Sequence, residues 1–307
     1  MALFCTLFAV LVAMAALPNF AAADGCVVRR AAEVPLSMVA GFMIVSARLE
    51  NTPVSLLLDT GAEAGLVTPD AATALALKGD PGHVSMMEGT GGAGGFTRNV
   101  LLRRLVIGGL TISNRSTPIG SLPAVPRIEP AVAGLIGADL LADYDVELDP
   151  TAGRMVLYTV AGICSAAQLL PWSGAYDAVP LRRGGDRLLA QVVVDGKALT
   201  ALVDTGALSI ILNVKAAERL GVRPEMLARD PGGLAGGIDM RPVAFHWHRF
   251  ASFRIGQEIV NQPVITVSAF DEDEADVLLG ASFFADRRVW LSYSQGRMFA
   301  QPLAMAR

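Results

Sequence analysis

The chain has 307 residues, enough for about two domains and a sizeable buried core. Its 25 Lys and Arg stand against 29 Asp and Glu, a formal net charge of −4, which leaves no basic footprint for nucleic acid. Apolar residues make up 52%, but past the N-terminus they come in short runs broken by Gly, Pro, Asp and Arg, the wrong pattern for a polytopic membrane protein.

The segment 1–23 carries no charge and closes with Ala21-Ala22-Ala23 before Asp24. It is read as a secretory signal peptide, so the mature protein is expected to be exported, periplasmic or secreted. No Lys or Arg precedes the apolar stretch, which keeps an uncleaved N-terminal anchor as the alternative. Cys5 lies in this segment and leaves Cys26 and Cys164 behind. In an exported chain these two can pair, tying the mature N-terminus to the connection between two halves; two free thiols are the alternative.

Next comes a repeat. Val34-Pro35-Leu36 recurs as Val179-Pro180-Leu181, and Asp59-Thr60-Gly61-Ala62 as Asp204-Thr205-Gly206-Ala207, both shifted by 145 residues. Leu135-Ile136-Gly137-Ala138 matches Leu278-Leu279-Gly280-Ala281, and Gly153-Arg154-Met155 matches Gly296-Arg297-Met298. The lobes are then 34–159 and 179–301, with 160–178 as linker.

Within the first lobe, Met43 to Leu49 and Val54 to Leu58 predict a hairpin with a loose turn near Asn51-Thr52-Pro53, delivering Asp59 at its end. A short helix is expected over 70–77, a strand over Val100 to Ile107, and a helical turn after Gly137. The second lobe repeats the scheme: Leu188 to Val194 and Lys197 to Val203 flank Asp195-Gly196, a type I′ turn signal, and a helix is expected over 214–220. The fold class is all-β with two lobes.

One Asp-Thr-Gly is a common turn. Two copies in register, each at the end of an apolar strand, place an acid where its charge is costly. If the halves pack about a pseudo-twofold axis, Asp59 and Asp204 meet on it and share a proton, giving a general acid and a general base around one water.

With these turns and the apolar-apolar-Gly segments at 135–141 and 278–284, the chain resembles the retropepsin-like aspartic proteases over both lobes. The resemblance implies a two-lobed fold and an endopeptidase acting on extended polypeptide through water held between Asp59 and Asp204, with no metal or other cofactor. Thr60 and Thr205 would bond across the lobe interface, and Gly61 and Gly206 would let backbone approach the water. Glu63 would accept a substrate main-chain hydrogen bond, whereas Leu208 at the matching position cannot. The glycine-rich segments at 89–95 and 232–237, with Gly91, Gly92, Gly236 and Gly237 named as substrate-binding, would be flaps over the cleft. Ala62 and Ala207 lack the hydroxyl that would stabilise an ionised dyad, so activity is expected at weakly acid pH. One chain supplies both acids, so a monomer is expected. A catalytically inactive peptide-binding protein is the alternative, and a structural protein whose acids satisfy the interlobe turns is another.

Three other patterns carry less. Gly89, Gly91 and Gly94 have dinucleotide-loop spacing, but a strand-like run follows instead of a helix. His246 and His248 flank Trp247 at strand spacing without a third metal ligand, and read as a wet strand face. Asp271 to Glu274 with Asp276 lacks the marks of a calcium loop and reads as a solvated acidic turn.

Overall fold

Each lobe is framed by a hairpin whose second strand runs out at an Asp-Thr-Gly turn. The computed structural model describes residues 25–89, 92–122, 127–236 and 242–302; the segment read as a signal peptide lies outside them. The strands of the first lobe are β1 (Val27–Val39), β2 (Phe42–Leu49), β3 (Thr52–Leu58), β4 (Leu66–Val67), β5 (Lys78–Gly89), β6 (Gly92–Ile107), β7 (Leu110–Pro118), β8 (Val132–Ile136), β9 (Asp145–Asp149) and β10 (Arg154–Ala161). Helices α1 (Pro69–Ala74) and α2 (Ala138–Leu141) interrupt them, and α3 (Ala166–Leu169) lies in the connection. The second lobe has β11 (Asp177–Gly184), β12 (Arg187–Val194), β13 (Lys197–Val203), β14 (Ile211–Asn213), β15 (Gly232–Gly236), β16 (Pro242–Arg249), β17 (Ser252–Ile255) and β18 (Glu258–Asn261). It continues with β19 (Val264–Ser268), β20 (Val277–Leu279), β21 (Arg287–Ser292) and β22 (Arg297–Pro302), with helices α4 (Val214–Arg219), α5 (Pro224–Leu227) and α6 (Ala281–Phe284).

The Asp195-Gly196 turn is as the dipeptide demands: φ is +47° and +79°, and Val194 pairs with Lys197. Its first-lobe counterpart is tighter than the sequence suggested. Leu49 pairs with Thr52, leaving only Glu50 and Asn51 in the turn, with Glu50 at φ +54°. Pro53 is no loop residue; it lies in β3 opposite Arg48, before the point where β3 takes its second partner, so its missing N–H breaks no ladder. Helix α1 starts where Thr68 accepts the Ala71 N–H and Pro69 supplies the first turn. It ends at Ala74, short of 77, because Ala76 turns left-handed at φ +48°.

The lobes join through one antiparallel sheet, in the order β1-β10-β9-β21-β22-β11, with three strands from each lobe. The pseudo-twofold runs between β9 and β21, where Glu147 faces Trp290. Two buried carboxylates beside it are satisfied: Asp145 accepts from Trp290 Nε1 at 3.0 Å and Ser292 Oγ at 2.6 Å, and Glu147 accepts from Arg288 Nε at 2.6 Å and Tyr158 Oη at 2.9 Å. A buried carboxylate without such partners would cost several kcal/mol. Cys26 and Cys164 are disulfide-bonded at the edge of this sheet, beside the cluster of Trp290, Phe299 and Leu169. A larger core unites both lobes, from Val34 and Leu58 to Val203 and Leu279. No described helix is long and apolar enough to cross a membrane.

Candidate active site

Strand β3 pairs in parallel with β8, and β13 with β20, so each Asp-Thr-Gly leaves its lobe beside the apolar-apolar-Gly segment. The Asp59 N–H donates to Ile136 O and the Asp204 N–H to Leu279 O, both at 3.1 Å. The segment after each glycine then clamps the far side of the turn. Ala138 N donates to Ala62 O at 2.8 Å and Asp139 N to Glu63 O at 3.1 Å; Ala281 N donates to Ala207 O at 2.7 Å and Ser282 N to Leu208 O at 3.1 Å. These matched bonds fix both turns against buried strands before any ligand arrives.

Across the axis the two threonines interlock. Each Thr N–H donates to the other's Oγ1 at 3.1 Å, while Thr60 Oγ1 donates to Val203 O at 2.7 Å and Thr205 Oγ1 to Leu58 O at 2.8 Å. Both are fully buried. Above them, Asp59 and Asp204 are 9% and 7% exposed, at the boundary between core and cleft. Asp59 Oδ1 accepts the Gly61 and Ala62 N–H groups at 3.0 and 2.9 Å; Asp204 Oδ1 accepts those of Gly206 and Ala207 at 3.0 and 3.2 Å.

Glycine is required in both turns by the opposite carboxylate. A Cβ on Gly61 would lie 2.5 Å from Asp204 Cγ, and one on Gly206 would lie 2.4 Å from Asp59 Cγ. No side chain fits there.

Burial is the largest influence on both acids, and it raises both. Asp204 is pushed well above the ordinary carboxylate range, first by burial and then by the charge of Asp59. Asp59 is raised too, with donation from Ala62, Asp204 and Gly61 opposing the rise. The pair therefore keeps a proton at a pH where isolated carboxylates would have lost theirs, and that proton is shared between the two acids. Among the described residues no Ser or Thr hydroxyl reaches either carboxylate, consistent with alanine at 62 and 207.

The other expected residues separate. Glu63 is exposed at the cleft edge, 3.5 Å from Arg187 Nη2 of the second lobe. Gly92 pairs with Gly89 at the end of the β5–β6 hairpin, whereas Gly91 and Gly237 lie outside the described residues. In the second lobe the described part of the glycine-rich run is a strand: β15 pairs Gly232 with His246 and Gly236 with Pro242. A Cβ on Gly232 would stand 2.1 Å from Phe245 O, so close strand approach accounts for the glycine.

Two surface readings need correction. His248 is not on a wet face: its Nδ1 lies 2.6 Å from Asp230 Oδ2 and its ring meets Phe250 edge-on, because this side of β16 packs inward. The acidic run is only partly solvated, since Glu272 binds Arg187 at 2.5 Å and Asp276 binds Arg219. No described group of three or more His, Cys, Asp or Glu is arranged to hold a metal ion. Sequence reasoning missed Arg187, which bridges the lobes, and the part of Asp139, which accepts the Gly65 N–H at 3.0 Å and pairs with Arg115 at 2.5 Å. Both are single charged residues whose partners lie far away in sequence.

A family model described as aspartyl protease matches residues 45–140 and 190–283, one segment in each lobe. No curated protein matches the chain significantly.

Proposed function

The chain belongs to the aspartyl protease family, and from that premise we propose that it is an endopeptidase using Asp59 and Asp204 as a catalytic pair on extended polypeptide. The observation that carries this reading is the shared, buried setting of the two carboxylates, each seated against the other lobe's glycine.

Water held between the acids gives up a proton to ionised Asp59 as its oxygen attacks the peptide carbonyl carbon. Protonated Asp204 donates to the carbonyl oxygen, so a neutral tetrahedral diol forms without a free oxyanion. Asp59 then passes its proton to the amide nitrogen, the C–N bond breaks, and a diol hydroxyl returns a proton to Asp204. The cycle leaves both acids as they began. It needs one proton on the pair, which the raised affinity of Asp204 supplies.

The interlocked threonines hold the acids in this relation, and the strands β5–β6 and β15–β16 are suited to cover an extended chain by main-chain hydrogen bonding. We propose a monomer as the active unit, because one chain carries both acids. Export is supported by the closed Cys26–Cys164 disulfide, which persists in oxidising compartments.

Asp59→Asn tests the reading. Hydrolysis of an unfolded protein is expected to disappear while thermal unfolding stays cooperative and peptide affinity survives; undiminished hydrolysis by the variant would contradict it. Loss of the fold would instead assign the acids a structural part.

A further inference from the structure

The internal repeat allows the two half-sites to be compared position by position, and their chemistry differs. After the first catalytic turn stands Glu63, 78% exposed in its side chain and 3.5 Å from Arg187, whose guanidinium is itself held by Glu272 at 2.5 Å. After the second stands Leu208, 47% exposed. The residue matching Arg187 is Phe42, since each opens the corresponding strand, β12 and β2. A Cβ on Gly41 would lie 3.2 Å from Leu208 Cδ2, so Leu208 rests against the corner that leads into Phe42. One end of the cleft is closed by an interlobe ion pair and the other by an apolar contact.

The flap strands repeat this contrast. In the second lobe Ile211 pairs with Leu278 and with Thr266, and Thr266 pairs with Trp247. Directly paired residues share a sheet face, and this is the face of Ala207, next to the catalytic turn: Ile211 and Ala207 pack with Leu189, Leu202 and Leu278. Ser209 Oγ, 3.0 Å from Thr266 Oγ1, ties the turn's own loop to it. Trp247 is 49% exposed there, with Phe245 at 5.3 Å between ring centroids. In the first lobe the matching positions are Asn99 and Thr97. Asn99 accepts from Ser85 Oγ at 2.9 Å and donates to Ser116 Oγ at 3.0 Å, and Thr97 Oγ1 donates to Ile119 O at 2.8 Å.

We propose that the cleft reads its substrate with a direction: the half-site of Leu208, Phe245 and Trp247 takes a bulky apolar side chain, and the half-site of Glu63 and Arg187 takes a polar one. This rests on the peptide-hydrolysing reading of Asp59 and Asp204. Half-exposed Trp and Leu beside a cleft are apolar surface that a substrate side chain can cover. The same side chain at the other end would strip water from the Glu63–Arg187 pair without replacing its hydrogen bonds. Specificity then arises from attraction at one end and rejection at the other.

The test is the cleavage profile of the full chain on a peptide library, repeated with Trp247→Asn and Leu208→Glu, which import the first lobe's chemistry into the second. Both targets are about half exposed, so neither substitution empties the core. Large apolar residues are expected at one fixed distance from the scissile bond on one side only, with the preference reduced roughly tenfold or more in each variant. Equal enrichment on both sides, or an unchanged profile in both variants, would overturn the proposal. Absence of cleavage that Asp59→Asn abolishes would contradict the hydrolytic reading instead. In that case binding of the same peptides, with the apolar residue placed on one side or the other of the centre, decides the direction by itself: unequal affinities support it and equal affinities refute it.

Discussion

Thr60 and Thr205 exchange hydrogen bonds across the lobe interface, each backbone N–H reaching the other's Oγ1 at 3.1 Å, and neither has any exposed surface. Each hydroxyl also donates to a strand carbonyl of the opposite lobe. Thr205→Val keeps the shape but orphans the Thr60 N–H and the Leu58 carbonyl. A buried unsatisfied group costs about 1–3 kcal/mol, so a stability loss of at least that size is expected in denaturant titration. Thr205→Ser retains the hydroxyl and is expected to recover most of the loss. Equal stability of the Val variant and the wild type would remove the interlock from the account.

The raised proton affinity of Asp204 has a defined consequence for stability. A carboxyl that binds its proton more tightly when folded than when unfolded favours the folded state at acid pH. Between the ordinary carboxylate value and the folded one, the native state holds a proton that the unfolded chain lacks, so this contribution falls as pH rises. Relative to wild type, Asp204→Asn is expected to be more stable at neutral pH, with the difference shrinking as pH falls toward the ordinary carboxylate range. Melting temperatures of both proteins across that interval measure it, and a difference that grows toward acid pH would reverse the sign.

Gly206→Ala forces a methyl to 2.4 Å from Asp59 Cγ, a separation that no side chain tolerates. Either the acid or the turn must move. Catalytic geometry is sensitive to displacements of about 1 Å, which can cost on the order of 10²-fold in rate. The variant is expected to lose kcat with its melting transition still cooperative; unchanged kcat would show that the turn has room the structure lacks.

The Cys26–Cys164 bridge closes a sequence separation of 138 residues. Cross-links over long loops stabilise by roughly 2–5 kcal/mol. Cys164→Ala, or reduction, is expected to lower stability within that range while leaving the dyad assembled. The readout is the denaturation midpoint with and without reductant, and no shift would mean the N-terminal strand is held by its ladders to β10 and β2 without help from the bridge.

Much of this architecture was legible because the chain states it twice. The 145-residue shift that aligns the Asp-Thr-Gly turns also aligns the hairpins β2–β3 and β12–β13, and local turn chemistry at Asp195-Gly196 fixed the register of the second. Less accessible were features set by distant packing. The turn at Glu50 is tight because Leu49 pairs with Thr52, which no local signal announces. The glycine-rich run at 232–236 carries no local strand signal, yet it pairs as a strand lying against Phe245. His248 looks exposed by alternation until Asp230 and Phe250 cover it. Arg187 draws its importance from Glu63, Glu272 and Glu274, which lie far from it in sequence.

The most direct test is hydrolysis of an unstructured protein such as casein by the chain, across roughly pH 3–7, with and without a statine-type inhibitor, beside Asp204→Asn. Two coupled acids, one ionised and one protonated, require a bell-shaped profile. Burial raises both acids, so its maximum is expected at a higher pH than ordinary carboxylates would give, in the weakly acid range that the missing hydroxyls at 62 and 207 also favour. Inhibitor-sensitive cleavage with that profile, absent in the variant, is the predicted result; cleavage that persists in Asp204→Asn, or none from a folded wild-type sample at any pH, would contradict the assignment of Asp59 and Asp204 as a catalytic pair.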